Sequence, residues 1–396
     1  MAYRIAINGY GRIGRCILRA FYEQKERNTR VTQRQNPVTN ELEWNHTEVT
    51  DCGNYGPESI RAPSVEQTIK AAETTDDQPH QTTSADDLHF TAINDLADMQ
   101  TLAHLTRYDS THGRFPGTVQ LTDQHLRVNG DEIAVFQEPG LDRLPWQEQD
   151  IDLVLECSGA FGDRAGARQH ISQGAARVLF SQPAESDVDA TIVYGINHHA
   201  LQATDTIISG ASCTTNCVVP VLKAMDESFG IVSGVITTIH SAMNDQPVID
   251  SYHNADLRKT RSAMQSIIPV DTGLARGIER ILPEMQGLLQ AQAIRVPTVN
   301  VSVMDLTISL KSPCSVAEVN TALTDYSDAF PANVLGVSRE PLASCDYNHD
   351  LRSGIVDLNQ TRVAPANLVK LLVWFDNEWA YANRMLDVAR HLSQLD

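Results

Sequence analysis

A glycine-rich turn joins the first strand and the first helix that the sequence predicts. The segment YRIAING is a short apolar run, GYGRIG follows it, and RCILRAFYEQ has the pattern of a helix. Gly9, Gly11 and Gly14 match G-x-G-x-x-G in the strand–turn–helix setting that a dinucleotide-binding fold requires. Such glycines let the backbone turn tightly and approach a pyrophosphate at the helix N-terminus. The start of the chain therefore predicts a doubly wound α/β domain, although three glycines at this spacing also arise by chance.

The second strand of such a domain is displaced along the sequence. In the usual unit an acid that binds the adenosine ribose follows the glycines by about 20 residues. Here that region is polar and broken by Pro and Gly, and the next apolar run is LHFTAIND, which ends in Asp95. We therefore interpret residues from about 28 to 87 as an insertion, largely a flexible surface segment with a short helix around SVEQTIKAAE.

The pattern of predicted strands and helices changes near residue 210. Up to that point strands and helices alternate, as in a doubly wound domain. Beyond it, GIVSGVITTIHSAM, AIRVPTVNVSVMDLTISLKS and LVKLLVWFDNEW are long β-branched or alternating runs with few helices between them. These runs predict a second domain with a mixed or antiparallel sheet. We place the first domain at residues 1–211 and the second at 212–378, with an amphipathic helix after them.

Charge and cysteine content exclude several classes of protein. The chain has 50 acidic and 31 basic residues and a formal net charge of −19, so its field repels nucleic acid and anionic membranes. No apolar run approaches membrane-spanning length, and the N-terminus lacks a signal-peptide layout. The seven cysteines are odd in number and scattered, which argues against a disulfide framework. We expect a cytoplasmic protein that binds neither nucleic acid nor a membrane.

The stretch SGASCTTNCVVP contains the strongest candidate for a reactive side chain. No second Cys/His pair lies nearby to complete a tetrahedral zinc site, so we expect no metal here. If a helix begins at Ser212, Cys213 lies in its first turn, where free backbone N–H groups and the helix dipole lower a thiol pKa. Cys217 lies among valines and is expected to act as a small hydrophobic residue. Cys213 is therefore the candidate nucleophile.

A nucleophilic thiol needs a base, and His240 is the histidine that the pattern favours. It ends the apolar run GVITTIH in the same predicted domain as Cys213. A side chain at a strand end is well held and can face a cleft. Spacing alone favours a half-buried structural histidine, so the residues by themselves leave both roles open.

Five separated motifs resemble the glyceraldehyde-3-phosphate dehydrogenase family. In chain order they are INGYGRIGR, YDSTHGRF, GASCTTNC, RVPTVNVSVMDLT and DNEWAYANR. Apart from the insertion, the resemblance covers nearly the whole chain. It implies a Rossmann-type NAD-binding domain completed by a C-terminal helix at 379–396, an α+β catalytic domain, and a homotetramer. It also implies that Cys213 is the nucleophile and His240 its base.

The resemblance further implies which residues bind the cofactor NAD. Asp95 takes the place of the ribose-binding acid, and its carboxylate would repel the 2′-phosphate of NADP. Asn377 matches the residue that holds the nicotinamide carboxamide. The cofactor set is Gly9, Gly11, Arg12, Ile13, Gly14, Asp95, Ser158, Ser181, Asn377 and Tyr381.

The segment HSAMNDQ, which follows the strand, departs from the phosphorylating members that the chain resembles. Those members carry threonines at the third and fifth positions after the histidine, where they hold the substrate's phosphate, whereas this chain has Met243 and Asp245. A thioether donates no hydrogen bond and a carboxylate repels a phosphate, unless Asp245 turns away and another residue substitutes. The substrate-binding set expected from the family is Ser212, Thr214, Asp245, Arg258, Thr272, Gly273 and Arg295.

This pattern, with SIIPVDT and DYNHDLRSGIVDLNQTRV, resembles the erythrose-4-phosphate dehydrogenase branch of the family. That resemblance implies NAD-dependent oxidation of D-erythrose 4-phosphate to 4-phosphoerythronate, with water as acceptor, in pyridoxine biosynthesis. Asp95 stands where this branch is expected to have Glu, and the insertion leaves access to the cofactor near Asp95 open. The alternatives are a phosphorylating glyceraldehyde-3-phosphate dehydrogenase and a catalytically silent NAD-binding or interaction protein.

Overall fold

The structure is a computed structural model that describes residues 2–35, 88–253 and 256–395. The chain divides into two compact units, residues 1–26 with 87–396, and residues 27–86, and only the first is described below. Of the predicted insertion, only residues 28–35 are described, as part of the first helix. The rest of it, with its predicted short helix, lies outside the described residues. The first helix, α1, spans Arg12–Gln35 and so extends beyond the predicted RCILRAFYEQ.

A nine-stranded sheet forms the N-terminal part of the first unit. The first strand, β1 Tyr3–Asn8, precedes α1. The elements that follow α1 are β2 Leu88–Asn94, α2 Met99–Arg107, β3 Tyr108–Asp109, β4 Gly113–Arg114, β5 Val119–Thr122, β6 His125–Val128, β7 Asp131–Phe136, β8 Leu153–Glu156, α3 Arg164–Ser172, β9 Arg177–Phe180, β10 Ala190–Thr191 and β11 Ile207–Ser209. The order is β10-β11-β9-β8-β1-β2-β7-β6-β5, while β3 and β4 form a separate pair. Strands β10 to β7 in this order are parallel, and β6 and β5 add an antiparallel hairpin.

The strand order reverses direction at β1, which is hydrogen-bonded to β2 on one side and to β8 on the other. In open parallel sheets such a reversal opens a crevice at the carboxyl ends of the strands, where dinucleotides bind. Gly9 and Asp95 directly follow β1 and β2, and Ser158 is the second residue after β8. The topology therefore places three residues of the predicted cofactor set at one edge of the sheet.

A second sheet of eight strands is built from the residues after Ser212. Its elements are α4 Cys213–Phe229, β12 Ile231–His240, β13 Ile268–Val270, α5 Leu274–Ile281, β14 Leu289–Arg295, β15 Ser302–Leu310, α6 Val316–Ala329, β16 Leu335–Ser338, β17 Gly354–Asp357, β18 Arg362–Ala364 and β19 Leu368–Phe375, and helix α7 Trp379–Ser393 follows. The order is β13-β14-β12-β15-β19-β17-β16, with β18 beside β19. Because β12 is parallel to β14 and antiparallel to β15, the sheet is mixed. The predicted α/β class with a second, mixed sheet is confirmed.

Two buried clusters of apolar side chains correspond to the two sheets. Val218 and Leu222 of α4 belong to the same cluster as Leu306 of β15, so α4 packs on the second sheet. Met385 and Leu386 of α7 instead belong to the cluster around the first sheet. The chain therefore returns to the first sheet at its end, although the domain boundaries at 211 and 378 stay predictions.

No helix among the described residues combines the length and the apolar character that crossing a membrane requires.

Gly9 lies at a position of the fold where a side chain does not fit. Its φ is +87°, and a Cβ there would lie 2.4 Å from the backbone N and Cα of Ser158. Because an alanine adds both left-handed strain and this clash, we predict that Gly9→Ala lowers the free energy of unfolding by about 2 kcal/mol or more. Urea denaturation measures the change.

Gly11→Ala is the matched control, because no atom lies within 4 Å of a Cβ at that position. Its free energy of unfolding should change by less than about 0.5 kcal/mol. Equal losses in the two variants would contradict the prediction.

Candidate active site

Helix α4 begins at Cys213, and Ser212 is its N-cap. The Thr215 N–H donates to the Ser212 Oγ at 3.0 Å, which satisfies one of the free donors at the helix start. Cys213 therefore lies in the first turn, where the sequence places it. Cys217 is fully buried in the core under α4 and has the surroundings of a structural thiol.

His240 ends β12 with its side chain directed at Cys213. The distance from His240 Nε2 to Cys213 Sγ is 3.9 Å, and His240 Nδ1 lies 2.8 Å from the Ser241 carbonyl oxygen. Because a carbonyl oxygen only accepts hydrogen bonds, the proton is on Nδ1, and Nε2 presents its lone pair to the thiol. This is the arrangement and the tautomer that a nucleophile and its general base require.

Arg295 lies beside this pair because it ends β14, the parallel neighbour of β12. His240 and Arg295 are directly paired in the register of the two strands. The Arg295 Nη1 is buried and has no hydrogen-bond partner in the part of the chain that the structure describes. A buried N–H group without a partner is costly, so this position is suited to an anion that accepts from it.

Burial controls the protonation of Cys213 and His240. It raises the pKa of the Cys213 thiol to about 11, while Arg295 and the backbone N–H groups of Cys213 and Thr214 oppose the rise. Burial also lowers the pKa of His240 to about 4, and the charge of Arg295 acts in the same direction. The expected net lowering of the thiol pKa is therefore wrong, because desolvation of the thiolate outweighs the helix N-terminus. At neutral pH the pair is a thiol and a neutral imidazole.

Asp245 is part of an ion pair. Its Oδ2 accepts from Lys259 Nζ at 2.7 Å. Burial acts to raise the pKa of the Asp245 carboxyl, but Lys259 and Arg295 outweigh it and the net shift is downward. Lys259 was missed by the sequence reasoning, and the basic run LRKT was the only signal for it. The negative charge that would repel a phosphate is thus balanced by a lysine.

The other predicted anion ligands fall into two groups. Ser212 Oγ and Thr214 Oγ1 are 2.7 Å apart at the start of α4. Gly273 is the N-cap of α5, and Thr272 Oγ1 accepts from the Leu274 N–H at 3.2 Å.

Arg258 lies elsewhere, on a cavity of about 430 Å³ whose lining includes none of the other predicted site residues. The cavity is lined by Arg258, Arg261, Ser266, Ile267, Ile268 and Pro269. The structure therefore does not join Arg258 to the group around Cys213.

On the cofactor side, the glycine turn leads into Arg12, Ile13 and Gly14 of α1. The Arg12 guanidinium forms ion pairs with Asp109 and Glu378, and its Nε lies 2.8 Å from Glu378 Oε1. The charge of Arg12 is therefore balanced by carboxylates of the protein itself. Glu378 also follows Asn377 directly, so this ion pair connects the glycine turn with the segment predicted to hold the nicotinamide.

Asp95 and Asn377 lie in environments that match their predicted tasks. Asp95 follows β2 and accepts from the N–H groups of Tyr10 and Ala97 at 2.7 and 2.9 Å, which holds it beside the glycine turn. Asn377 Oδ1 accepts from Ser241 Oγ at 3.0 Å and from Ser302 Oγ at 2.9 Å. No described residue accepts from the Asn377 Nδ2, so its two hydrogens are available to a carboxamide oxygen.

The remaining predicted cofactor residues lie at strand ends or in the core. Ser181 directly follows β9, and Ser158 is the second residue after β8. Tyr381 is 4% exposed, and its hydroxyl donates to the Ala211 carbonyl at 2.8 Å. Tyr381 therefore supports the turn that precedes Cys213.

One set of potential metal ligands occurs among the described residues. A sulfur, a nitrogen and an oxygen of Cys16, His112 and Glu378 lie within 4.8 Å of one another. The guanidinium of Arg12 contacts both oxygens of Glu378. Because this cation occupies the carboxylate and burial raises the pKa of the Cys16 thiol, the set functions better as an ion-pair cluster than as a metal site.

Two family models match the chain. The model described as glyceraldehyde 3-phosphate dehydrogenase, NAD binding domain, matches residues 79–164, and the one described as glyceraldehyde 3-phosphate dehydrogenase, C-terminal domain, matches residues 212–377. Together they take in more than half of the chain. The C-terminal match includes Cys213, His240 and Asn377.

The protonation of Cys213 gives a testable pH profile. We predict that iodoacetamide alkylates Cys213 slowly at neutral pH in the absence of NAD, and that the rate rises with pH toward a midpoint at about 11. Mass spectrometry of the peptide that contains Cys213 measures the rate, and the exposed thiol of Cys345 is an internal control. A rate that reaches its plateau below about pH 8 would contradict this prediction.

Proposed function

Because the chain belongs to the glyceraldehyde-3-phosphate dehydrogenase family and is an NAD-dependent oxidoreductase acting on an aldehyde, we propose that its substrate is D-erythrose 4-phosphate. The product is 4-phosphoerythronate, and water is the acceptor. The observation that carries this choice is the segment HSAMNDQ, in which Met243 and Asp245 replace the two hydroxyl side chains that the phosphorylating members are expected to have. Neither replacement donates a hydrogen bond to a phosphate.

Cys213 and His240 account for the chemistry. The Cys213 sulfur adds to the aldehyde carbon while its proton passes to His240 Nε2, and His240 returns this proton to the resulting oxyanion, which gives a thiohemiacetal and leaves the imidazole neutral again. NAD, when bound, supplies the acceptor for the hydride that leaves this carbon. His240 removes the hydroxyl proton as the carbonyl re-forms, which leaves an acyl thioester on Cys213. Water then attacks the thioester, releasing the acid and restoring the thiol.

The described residues fit NAD. Gly9 has no Cβ where one would collide with Ser158, so the backbone of the turn can approach a pyrophosphate. Asp95, held by two backbone N–H groups, offers a carboxylate to the ribose hydroxyls. Asn377, whose oxygen is fixed by two serines, would donate through Nδ2 to the nicotinamide carboxamide.

The cations near His240 support a phosphorylated substrate. Arg295 has a buried N–H group without a partner among the described residues, and Lys259 is held in place by Asp245. A substrate one carbon longer than glyceraldehyde 3-phosphate carries its phosphate farther from the reacting carbon. A lysine on a flexible stem is suited to that position, because an ammonium binds a phosphate as a point charge.

A phosphorylating glyceraldehyde-3-phosphate dehydrogenase is the second candidate. The Asp245–Lys259 ion pair favours it, because the pair removes the repulsion that would otherwise exclude the phosphate of the three-carbon substrate. A catalytically silent NAD-binding protein has weaker support, since the Cys213–His240 arrangement has the distance and the tautomer that catalysis needs.

Substrate choice is tested by NADH formation with each aldehyde, with and without inorganic phosphate. We predict a higher kcat/KM for D-erythrose 4-phosphate than for glyceraldehyde 3-phosphate, and a rate that does not require phosphate. A rate that depends on phosphate and is higher with the three-carbon aldehyde would instead establish the second candidate.

Cys213→Ser is the chemical control for this assay. Because a hydroxyl in place of the thiol forms no thioester, NADH formation should fall by at least about 1,000-fold. Unchanged aldehyde-dependent NADH formation would show that Cys213 is not the nucleophile.

We also propose that the protein is a homotetramer in the cytoplasm. Six large apolar side chains among the described residues from 248 to 267 are exposed, namely Val248, Ile249, Tyr252, Leu257, Met264 and Ile267 at 72, 76, 86, 83, 55 and 70%. Such a concentration of apolar surface is typical of a protein interface. The six cysteines in the described part of the chain are free thiols, which suits a reducing compartment.

Replacing apolar residues of this segment by acids tests the assembly. We predict that the double variant Ile249→Asp, Tyr252→Asp elutes as a smaller species than the wild type, because burying two carboxylates in an interface is costly. Size-exclusion chromatography with light scattering measures the mass. Val316→Asp, at an exposed position outside the segment, is the control and should leave the mass unchanged. An unchanged mass in the double variant would exclude this surface as the interface.

A further inference from the structure

Glu156, the last residue of β8, carries a carboxylate that solvent does not reach. Its side chain is 0% exposed. The ion pairs of the described residues include none between Glu156 and a lysine or arginine, and its one ionisable partner is His170. Burying a carboxylate without a balancing cation costs several kcal/mol, so its surroundings must stabilise it in another way.

Four hydrogen bonds reach the two oxygens of Glu156. Asn8 Nδ2 and His170 Nε2 lie 2.6 and 2.9 Å from Oε2. The Ser158 N–H donates to Oε1 at 2.8 Å, and the Ser158 hydroxyl donates to the same oxygen. Hydrogen bonds of this kind compensate a buried polar group for the loss of water.

The direction of these bonds is set by Trp146. Its indole Nε1 lies 2.9 Å from His170 Nδ1, and both residues are fully buried. Because an indole N–H can only donate, His170 Nδ1 must accept, and the single ring proton is on Nε2. His170 is therefore a neutral donor to Glu156. All four groups that reach the Glu156 oxygens are donors. A side-chain amide or a protonated acid at position 156 would therefore point one of its own hydrogens at the hydrogen of a donor.

This carboxylate joins the strand ends from which the cofactor residues extend. Asn8 ends β1 and precedes Gly9, and Gly9 packs directly on Ser158 after β8. The Asn8 Oδ1 in turn accepts from Asn94 Nδ2 at 2.8 Å, and Asn94 ends β2 just before Asp95. One buried carboxylate thus connects three strand ends through side-chain hydrogen bonds, in addition to the backbone pairing of the strands.

We propose that Glu156 is a positioning residue for NAD. It acts through Asn8 and Ser158, which it holds in the arrangement that the cofactor requires, and the Trp146–His170 pair fixes the polarity of its hydrogen bonds. The proposal rests on NAD binding and is independent of which aldehyde is oxidised.

Glu156→Gln is the direct test, because it keeps the shape and replaces one acceptor oxygen by an NH₂ group that faces two donors. The dissociation constant for NAD, measured by calorimetry, should rise about 10- to 100-fold, as expected for one or two buried hydrogen bonds lost. The alkylation rate of Cys213 in the absence of NAD should stay unchanged, because Cys213 and His240 lie on other elements. Glu132→Gln, which is exposed on β7, is the matched control and should bind NAD as the wild type does.

A second substitution tests the polarity of the network. In the double variant Asn8→Asp, Glu156→Gln, the new amide N–H can donate to the new carboxylate at position 8, which still accepts from Asn94. The double variant should recover part of the lost affinity for NAD. A purely steric role would predict that the two losses add.

Three results would overturn the proposal. They are an unchanged dissociation constant in Glu156→Gln, a loss of Cys213 alkylation equal to the loss of NAD affinity, and an absence of any recovery in the double variant.

If Glu156→Gln does not fold, Trp146→Phe takes its place. This variant frees His170 Nδ1 and should weaken NAD binding by a smaller factor, and an unchanged constant would again overturn the proposal. A protein that binds NAD normally but oxidises neither aldehyde would contradict the proposed function alone.

Discussion

The burial of Cys213 beside His240 is the constraint on which the active site depends. Desolvation penalises each charged form, and it moves the two pKa values apart, to about 11 for the thiol and about 4 for the imidazole. The resting pair is therefore neutral, and in the proposed mechanism a proton moves from sulfur to Nε2 as the sulfur attacks. The positive charge of Arg295 favours the thiolate and disfavours the imidazolium. It therefore assists loss of the proton from Cys213 and opposes its uptake by His240.

A second constraint is the connection between the two sheets, made by side chains near the predicted cofactor crevice. The Arg12–Glu378 ion pair joins the start of α1 to the residue after Asn377. His112 Nε2 lies 3.1 Å from Glu378 Oε2, and His349 lies 3.2 Å from His112 through their Nδ1 atoms. These bonds hold the start of α1 and the segment that follows Asn377 in a fixed arrangement. Binding energy for NAD is then not spent on ordering those residues.

Local sequence patterns predicted those parts of the site that depend only on residues close together in the chain. The glycine spacing at Gly9, the small polar residues before Cys213 and the apolar run before His240 each depend on a few neighbouring residues, so motif and periodicity were enough. The partners of these residues could not be predicted in the same way. Lys259 is 14 positions from Asp245, and Glu156 is 148 positions from Asn8. The net rise of the thiol pKa was missed for a related reason, because burial is set by the packing of distant segments.

The choice between the two aldehydes reduces to the electrostatics around Arg295. A carboxylate in this region first argues against any phosphate, but Asp245 is paired with Lys259, and Arg295 keeps a free N–H group. The three charges sum to a net positive site, so an anion is still attracted. What changes is the kind of contact, since two hydroxyls impose a fixed hydrogen-bond geometry whereas an ammonium tolerates a range of distances. In the proposed function this exchange suits a substrate whose phosphate lies one carbon farther from the thiol, and Lys259 offsets the charge of the acid.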